Sequence, residues 1–147
     1  MNHDLSKHDL SKHDLSRFLE AQDGVFEIAL NELKGCQKRS HWMWFIFPQL
    51  DGLGYSELSK KYAIRNVGEA SAYWKHPILG SRLEEVTQVV VHCKTHPKEI
   101  FGAIDYQKFI SCMTLFMLAL PECPLFASVL QKYSEIDNKT KELLGLD

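Results

Sequence analysis

Long apolar runs are missing from this sequence. The two longest, Trp42 to Phe47 and Leu115 to Leu120, fall far short of the ~18 consecutive apolar residues that suggest a membrane span. The first stretch of the chain is polar and repetitive, so it lacks the apolar segment of a secretory signal peptide. We therefore expect a cytoplasmic protein without a membrane partner.

The sequence also has no excess of charge of either sign. Its 17 basic and 19 acidic residues leave a formal net charge of −2. Such a chain has no global electrostatic attraction to nucleic acid or to an anionic membrane surface. Hydrophobic residues make up 45% of the 147 residues, which is enough for the core of one packed domain.

Metal and cofactor motifs are absent as well. The four cysteines form no C-x-x-C pair, and we interpret them as reduced thiols, with Cys93 and Cys112 as small core residues. His92 and His96 are four residues apart, but no acidic or cysteine partner has a ligand spacing to them. The chain has no Gly-rich phosphate loop, G-x-S-x-G elbow or H-E-x-x-H motif. We therefore predict neither a metal site nor a cofactor.

The N-terminus carries a five-residue repeat. Its three copies span Asn2 to Ser6, Lys7 to Ser11 and Lys12 to Ser16. A period of five advances a helix by ~140° beyond a full turn, so His3, His8 and His13 share no face and do not suggest a metal site. We predict that residues 1–13 form a repetitive polar tail and that residues 14–147 form a single helical domain.

The rest of the chain has a helical pattern. Apolar residues at three- and four-residue steps between Leu15 and Leu33 predict one buried helical face. The run from Trp42 to Phe47 has no usable period and predicts either a buried strand or a buried helix. Further helices are expected at 55–63, 67–75 (capped by Asn66), 77–93, 103–120, 124–133 and 138–144, with a short turn from Pro97 to Gly102. The predicted fold is therefore all-α, a compact single-domain bundle of about six to eight helices.

Several sequence blocks resemble one family over roughly residues 14–144. They are His41 to Gln49 (HWMWFIFPQ), Gly52 to Gly54 with Ser56, Tyr62 to Ile64, Glu69 to Tyr73, His76 to Gly80 with Arg82 and Leu83, Ile100 to Gly102, and Asp105, Lys108 and Ser111 to Phe116. The chain resembles the domain of unknown function 1810, which implies a small helical fold without an established activity. Its arrangement is also distantly similar to the NADAR domains, which act on N-glycosidic bonds of ADP-ribose-type substrates.

The helix beginning at Ala103 carries the candidate catalytic residues. Asp105, Lys108 and Ser111 follow one another at three-residue steps, with Thr114 one step further. Most other residues of this helix are apolar, so a carboxylate and an ammonium on it would be partly desolvated and suited to proton transfer. The alternative is a structural ion pair, with Ser111 bonded back to the backbone.

Other residues are candidates for ligand binding. Arg82 lies near a helix start that follows His76 and Gly80, and its guanidinium could bind a phosphate or carboxylate there. The alternative is a surface ion pair between Arg82 and Glu85. Tryptophans offer flat faces for a base, although most aromatic runs are core. The ligand-binding candidates are His41, Trp42, Trp44, Gln49, Tyr62, His76, Arg82, Ser111 and Thr114.

These residues suggest three functions. In the first, the protein binds a nucleotide or ADP-ribose-like ligand and hydrolyses an N-glycosidic bond: Asp105 stabilises charge on the sugar or activates water, and Lys108 holds the leaving group. In the second, the same aromatic groove belongs to a non-enzymatic module that binds a nucleotide or a protein partner. In the third, Trp42 and Trp44 are core residues of an interaction protein without a small-molecule site.

Overall fold

The structure, a computed structural model, describes residues 14–145, and its regular elements in this range are ten helices and no strand. The helices are α1 (Ser16–Gln22), α2 (Phe26–Lys34), α3 (Met43–Ile46), α4 (Glu57–Lys61), α5 (Val67–Lys75), α6 (Leu79–His92), α7 (Pro97–Phe101), α8 (Ala103–Ala119), α9 (Pro124–Tyr133) and α10 (Asn138–Leu143). The predicted all-α class is confirmed, and the helix count is slightly above the expected six to eight. The predicted tail, residues 1–13, lies outside the described residues.

The apolar stripe from Leu15 to Leu33 belongs to two helices rather than one. Gly24, between α1 and α2, has a φ of +75°, a left-handed conformation that interrupts a right-handed helix. The hydrophobic period continues across this break because both helices face the same core. The sequence pattern does not predict that a helix ends before Gly24, because the apolar period runs through this position.

The unassigned aromatic run is a single helical turn. Met43–Ile46 forms α3, and the chain then extends to an isolated parallel bridge between Leu50 and Ile64. A run of six apolar residues is therefore neither a strand nor a regular buried helix. It is a short turn whose side chains point in several directions, which explains why it has no period.

The helix starts follow from local capping. The Asn66 side chain accepts a hydrogen bond from the Glu69 N–H at 2.9 Å and caps α5, as predicted. Helix α6 begins at Leu79, two residues after the predicted start at Pro77, and His76 lies in the turn before it. The Nδ1 of His76 accepts from the N–H groups of Ile78 and Leu79.

Helix α8 is the central element of the fold. It packs against α5, α7, α9 and α10, and every residue from Phe109 to Phe116 is buried. Its apolar composition follows from burial on all sides. The exposed side chains of α8, those of Ala103, Ile104 and Gln107, all belong to its first turns, so polar side chains there lie at the edge of the core.

A disulfide joins Cys36, just after α2, to Cys93, at the end of α6. The prediction of reduced thiols is therefore wrong for this pair. Their sequence separation of 57 follows no motif, and the packing of α2 on α6 brings them together. Cys112 is a buried free thiol, as predicted.

Within residues 14–145, no helix has both the length and the apolarity to cross a membrane.

Candidate functional site

A cavity of about 460 Å³ lies where the first turns of α8 meet the segment after α3. We call it the Trp44 cavity. Its lining residues are Trp44, Gln49, Leu53, Gly54, Ala103, Ile104, Gln107, Lys108, Ser111 and Asp137. Four of the predicted site residues line it: Trp44, Gln49, Lys108 and Ser111.

Gly54 allows the two chain segments of the cavity wall to approach closely. A Cβ added at Gly54 would lie 2.5 Å from the Cβ of Ser59, and 3.7 Å from the edge of the Trp44 ring. Ser59 is buried and belongs to α4, so the loop before α4 packs tightly against the indole. Position 54 requires glycine because a side chain would collide with Ser59, and not because of its backbone angles.

An ion-pair cluster of Lys38, Asp105 and Lys108 lies next to the cavity. The Asp105 carboxylate contacts Lys38 Nζ at 2.9 Å with one oxygen and Lys108 Nζ at 3.1 Å with the other. Burial alone would raise the pKa of Asp105, but hydrogen bonds from the two lysines outweigh it and hold that pKa below its ordinary value. Two ammonium groups and one carboxylate leave the cluster with a net charge of +1.

The lysines also contact the tryptophans. Lys108 Nζ lies 3.9 Å from the ring centroid of Trp44, and Lys38 Nζ lies 5.0 Å from that of Trp42. Both distances are within the range of cation–π attraction. Lys108 is therefore held by Asp105 on one side and by the Trp44 ring on the other, with part of its length on the cavity wall.

Gln49 has a fixed backbone and a free side chain. Its carbonyl accepts from the Ile64 N–H at 2.8 Å, beside the bridge that joins Leu50 to Ile64. The residue is 8% exposed, yet its amide has no hydrogen-bond partner among residues 14–145. The side chain lines the Trp44 cavity on one side and a crevice of about 10 Å³ on the other.

The far wall of the cavity is internally bonded. Gln107 Nε2 donates to Asp137 Oδ1 at 3.1 Å, and Asp137 Oδ2 accepts from the Thr140 N–H at 3.0 Å as the cap of α10. The Ser111 hydroxyl donates to the Gln107 carbonyl at 3.0 Å, which is the back-bond considered for it from the sequence. Thr114 is fully buried, donates to Ile110 and accepts from the Asp137 N–H, so it supports this wall from behind.

Trp42 is separated from the cavity. It is 1% exposed, and its indole N–H donates to Glu32 Oε1 at 2.9 Å. The structure therefore places Trp42 in the core and Trp44 at the cavity, although the two residues are only two positions apart. The short helix α3 begins between them and turns their side chains apart.

The remaining candidates lie in different places. Tyr62 lines the small crevice next to Gln49 and packs against Phe45. Arg82 donates to Gln22 Oε1 at 3.1 Å and lies over the Phe26 ring, so its guanidinium joins α6 to α1 and α2. The His76 ring accepts hydrogen bonds from the N–H groups of Ile78 and Leu79 at the start of α6, and His41 is exposed. None of His41, Trp42, His76 and Arg82 is among the lining residues of the Trp44 cavity.

Asp105 is also outside the cavity lining. Both of its oxygens are occupied by lysines, so its present position suits it to hold Lys108 rather than to face a ligand.

Sequence reasoning missed Gln107 and Asp137. Gln107 is four residues before Ser111, so the helical period of α8 was sufficient to find it. Asp137 caps a separate helix, and no local signal connects it to α8. Within residues 14–145, no group of three or more His, Cys, Asp or Glu side chains is arranged to hold a metal ion.

Comparison with known proteins agrees with the family resemblance. A crystal structure of the conserved hypothetical protein Rv1873 from Mycobacterium tuberculosis is similar, with 42% sequence identity and a TM-score of 0.88. The match covers 92% of this chain and 99% of that one. No curated protein matches this chain, and nothing in the comparisons links it to the NADAR domains. The family model for the protein of unknown function DUF1810 matches residues 12–144, and the chain therefore belongs to that family.

Proposed function

We propose that this chain binds a nucleotide or ADP-ribose-like ligand in the Trp44 cavity. The observation that carries the proposal is that one cavity combines an aromatic ring, a lysine ammonium and a buried amide, supplied by Trp44, Lys108 and Gln49. A volume of about 460 Å³ suits a small-molecule ligand, since such sites usually measure ~300–1,000 Å³.

Lys108 offers the cavity a contact for an anionic group, whereas the Asp137 carboxylate on the far wall is occupied by Gln107 and by the Thr140 N–H. Lys38 and Lys108 share the single carboxylate of Asp105, so one positive charge remains uncompensated in the cluster. Lys108 is the member that lines the cavity. An ammonium is a point-charge ligand for phosphate, and Lys108 would contact the phosphate while Asp105 keeps it in place.

The apolar walls favour a planar group next to the anion. Leu53 and Ile104 face the cavity beside the indole of Trp44. A base or ribose would bury its apolar surface against these side chains. Lys108 covers part of one indole face, so the ligand would contact the edge and the remaining surface of the ring.

Hydrolysis of an N-glycosidic bond is a further step of this proposal. Water would add to the anomeric carbon of the sugar, and the base would leave with a proton. Asp105 could assist only after releasing at least one of its lysines, because both of its oxygens are now paired. Binding is therefore more directly supported by the geometry than cleavage.

Calorimetric titration with AMP, NAD and ADP-ribose tests the binding proposal. We expect binding by the wild type and a loss of at least ~10-fold in affinity in Lys108→Met, because a charge-assisted hydrogen bond is worth about 1.5–3 kcal/mol. Lys94→Met is the matched control, since Lys94 is an exposed lysine after α6, away from the cavity lining. Equal affinities of both variants, or no binding by the wild type, would contradict the proposal.

Chromatography of the same mixtures tests cleavage. If the protein is an N-glycosidase, the wild type releases a free base and Asp105→Asn does not. Binding without release, with Asp105→Asn still able to bind, would identify a non-enzymatic module.

A protein partner is the second candidate, because the rim of the cavity is apolar. Ile104 is 76% exposed and Tyr55, next to Gly54, is 87% exposed. Exposed apolar side chains of this size are typical of interaction surfaces. A partner captured by the wild type and lost in Ile104→Ser, with nucleotide affinity unchanged, would favour this function.

A further inference from the structure

We propose that Gln49 selects the ligand of the Trp44 cavity by pairing its amide with a ring edge that carries an N–H donor beside an acceptor, as adenine does. This inference rests on the proposed function and adds the chemistry that the ligand must present. It assigns the specificity to Gln49 and leaves the anionic contact to Lys108.

The backbone at Gln49 is held in place by main-chain hydrogen bonds. Ile64 donates to the Gln49 carbonyl at 2.8 Å, and the Ile64 carbonyl accepts from the Asp51 N–H at 2.8 Å. These two hydrogen bonds hold the chain on both sides of Leu50, which is buried. The side chain therefore starts from a fixed point and cannot reach solvent by a shift of the main chain.

The Gln49 side chain is mostly buried, and its amide is unpaired at the cavity wall. Gln49 is 8% exposed, and its side chain has no hydrogen-bond partner within the described part of the chain. An unpaired amide donor and acceptor at a cavity wall can both be satisfied by a bound ligand.

The partner of the amide has to come from the Trp44 cavity. The crevice on the other side of Gln49 measures about 10 Å³, which leaves room for at most one water molecule. The cavity side, with about 460 Å³, has room for a ring.

The other polar groups of the cavity are already engaged. Internal bonds are made by the side chains of Gln107, Lys108, Ser111 and Asp137. The Gln49 amide differs from them because it offers a donor and an acceptor side by side, both unpaired. Glutamine pairs through two hydrogen bonds with an edge such as N6 and N7 of adenine, and a ligand lacking the donor leaves the amide unsatisfied.

Two nucleotides that differ by one amino group provide the test. AMP has the 6-amino donor beside ring nitrogens, and purine riboside 5′-monophosphate has the same phosphate and ring without that donor. We expect the wild type to bind AMP at least ~10-fold more tightly, and Gln49→Met, which keeps the length of the side chain, to bind both with similar affinity. Gln131→Met, an exposed change near the end of α9 and outside the cavity lining, is the matched control and should keep the wild-type preference.

Thermal unfolding without ligand separates a recognition role from a structural one. Gln49→Met should unfold close to the wild-type temperature, because the Gln49 amide makes no hydrogen bond within the described part of the chain. A preference for AMP that survives in Gln49→Met, or a wild type with no preference between the two nucleotides, would overturn this inference while leaving the proposed function in place. No binding of AMP, NAD or ADP-ribose by the wild type would overturn both.

Discussion

Glu32 shows how one residue organises the approach to the aromatic segment. Its carboxylate accepts hydrogen bonds from the N–H groups of Arg39 and Ser40 at 2.8 and 3.0 Å, from the Ser40 hydroxyl and from the Trp42 indole. Burial opposes ionisation, but these donors outweigh it and lower the pKa of Glu32 from 4.5 to about 2. The loop before α3 is therefore held by a single carboxylate on α2.

This pKa makes the stability of the protein dependent on pH. A carboxylate whose pKa is lower in the folded state contributes its full stability above pH 4.5 and loses it as the pH falls toward 2. We expect Glu32→Gln to be less stable than the wild type at pH 7, by urea unfolding, and the difference to shrink below pH 4.5. Glu27→Gln, an exposed change on the same helix, is the control. A difference that stays constant from pH 7 to pH 3 would contradict the assignment.

At the scale of the elements, the contact of α5 with α6 depends on one glycine. A Cβ added at Gly80 would lie 1.8 Å from the carbonyl oxygen of Trp74, in the last turn of α5. The following helix can fold back this closely only because Gly80 has no side chain. Tyr73 and Leu79, on either side of the junction, are fully buried in the core.

Gly80→Ala should therefore destabilise the protein although alanine is the better helix former. The clash is with backbone, which has to move, and overpacking of this kind costs about 1–3 kcal/mol or more. Gly35→Ala is the control, since its added Cβ would meet only backbone oxygens at 3.5 and 3.7 Å. Calorimetric melting of the two variants checks this, and equal melting temperatures would show that α6 shifts without cost.

At the scale of the whole molecule, the Cys36–Cys93 disulfide connects distant parts of the chain. It ties the end of α2 to the end of α6 across 57 residues of sequence. The segment between the two cysteines contains α3, α4 and α5 and therefore one wall of the Trp44 cavity. A cross-link of this span limits the freedom of the unfolded chain.

Reduction should lower the free energy of unfolding by up to about 4 kcal/mol, the chain-entropy value for a loop of this length. Urea unfolding with and without dithiothreitol measures the change, and Cys36→Ser with Cys93→Ser should match the reduced wild type. Cys123→Ser, which alters a free cysteine, should keep the full response to reductant. An identical midpoint with and without reductant would show that the bond does not contribute.

The helices and their caps were largely predictable because their signals are local. Asn66 with Glu69 marks the start of α5, and the second half of α8 is apolar enough to predict its burial. The break at Gly24 was missed because the hydrophobic period continues across it. Lys108 and Ser111 were identified from helical spacing, but the same reasoning could not separate Trp42 from Trp44.

The helical class, the family and most helix boundaries follow from the sequence alone, since periodicity, capping residues and proline positions act over a few neighbours. The tertiary structure decided which polar residues meet. Gln49 and Lys108 reach one cavity, while Arg82 bonds to Gln22 elsewhere. The disulfide between Cys36 and Cys93 also depends on tertiary packing, because no sequence motif connects the two cysteines. These contacts depend on how α2, α6 and α8 pack, and packing joins residues too far apart in the chain for any local pattern to connect them.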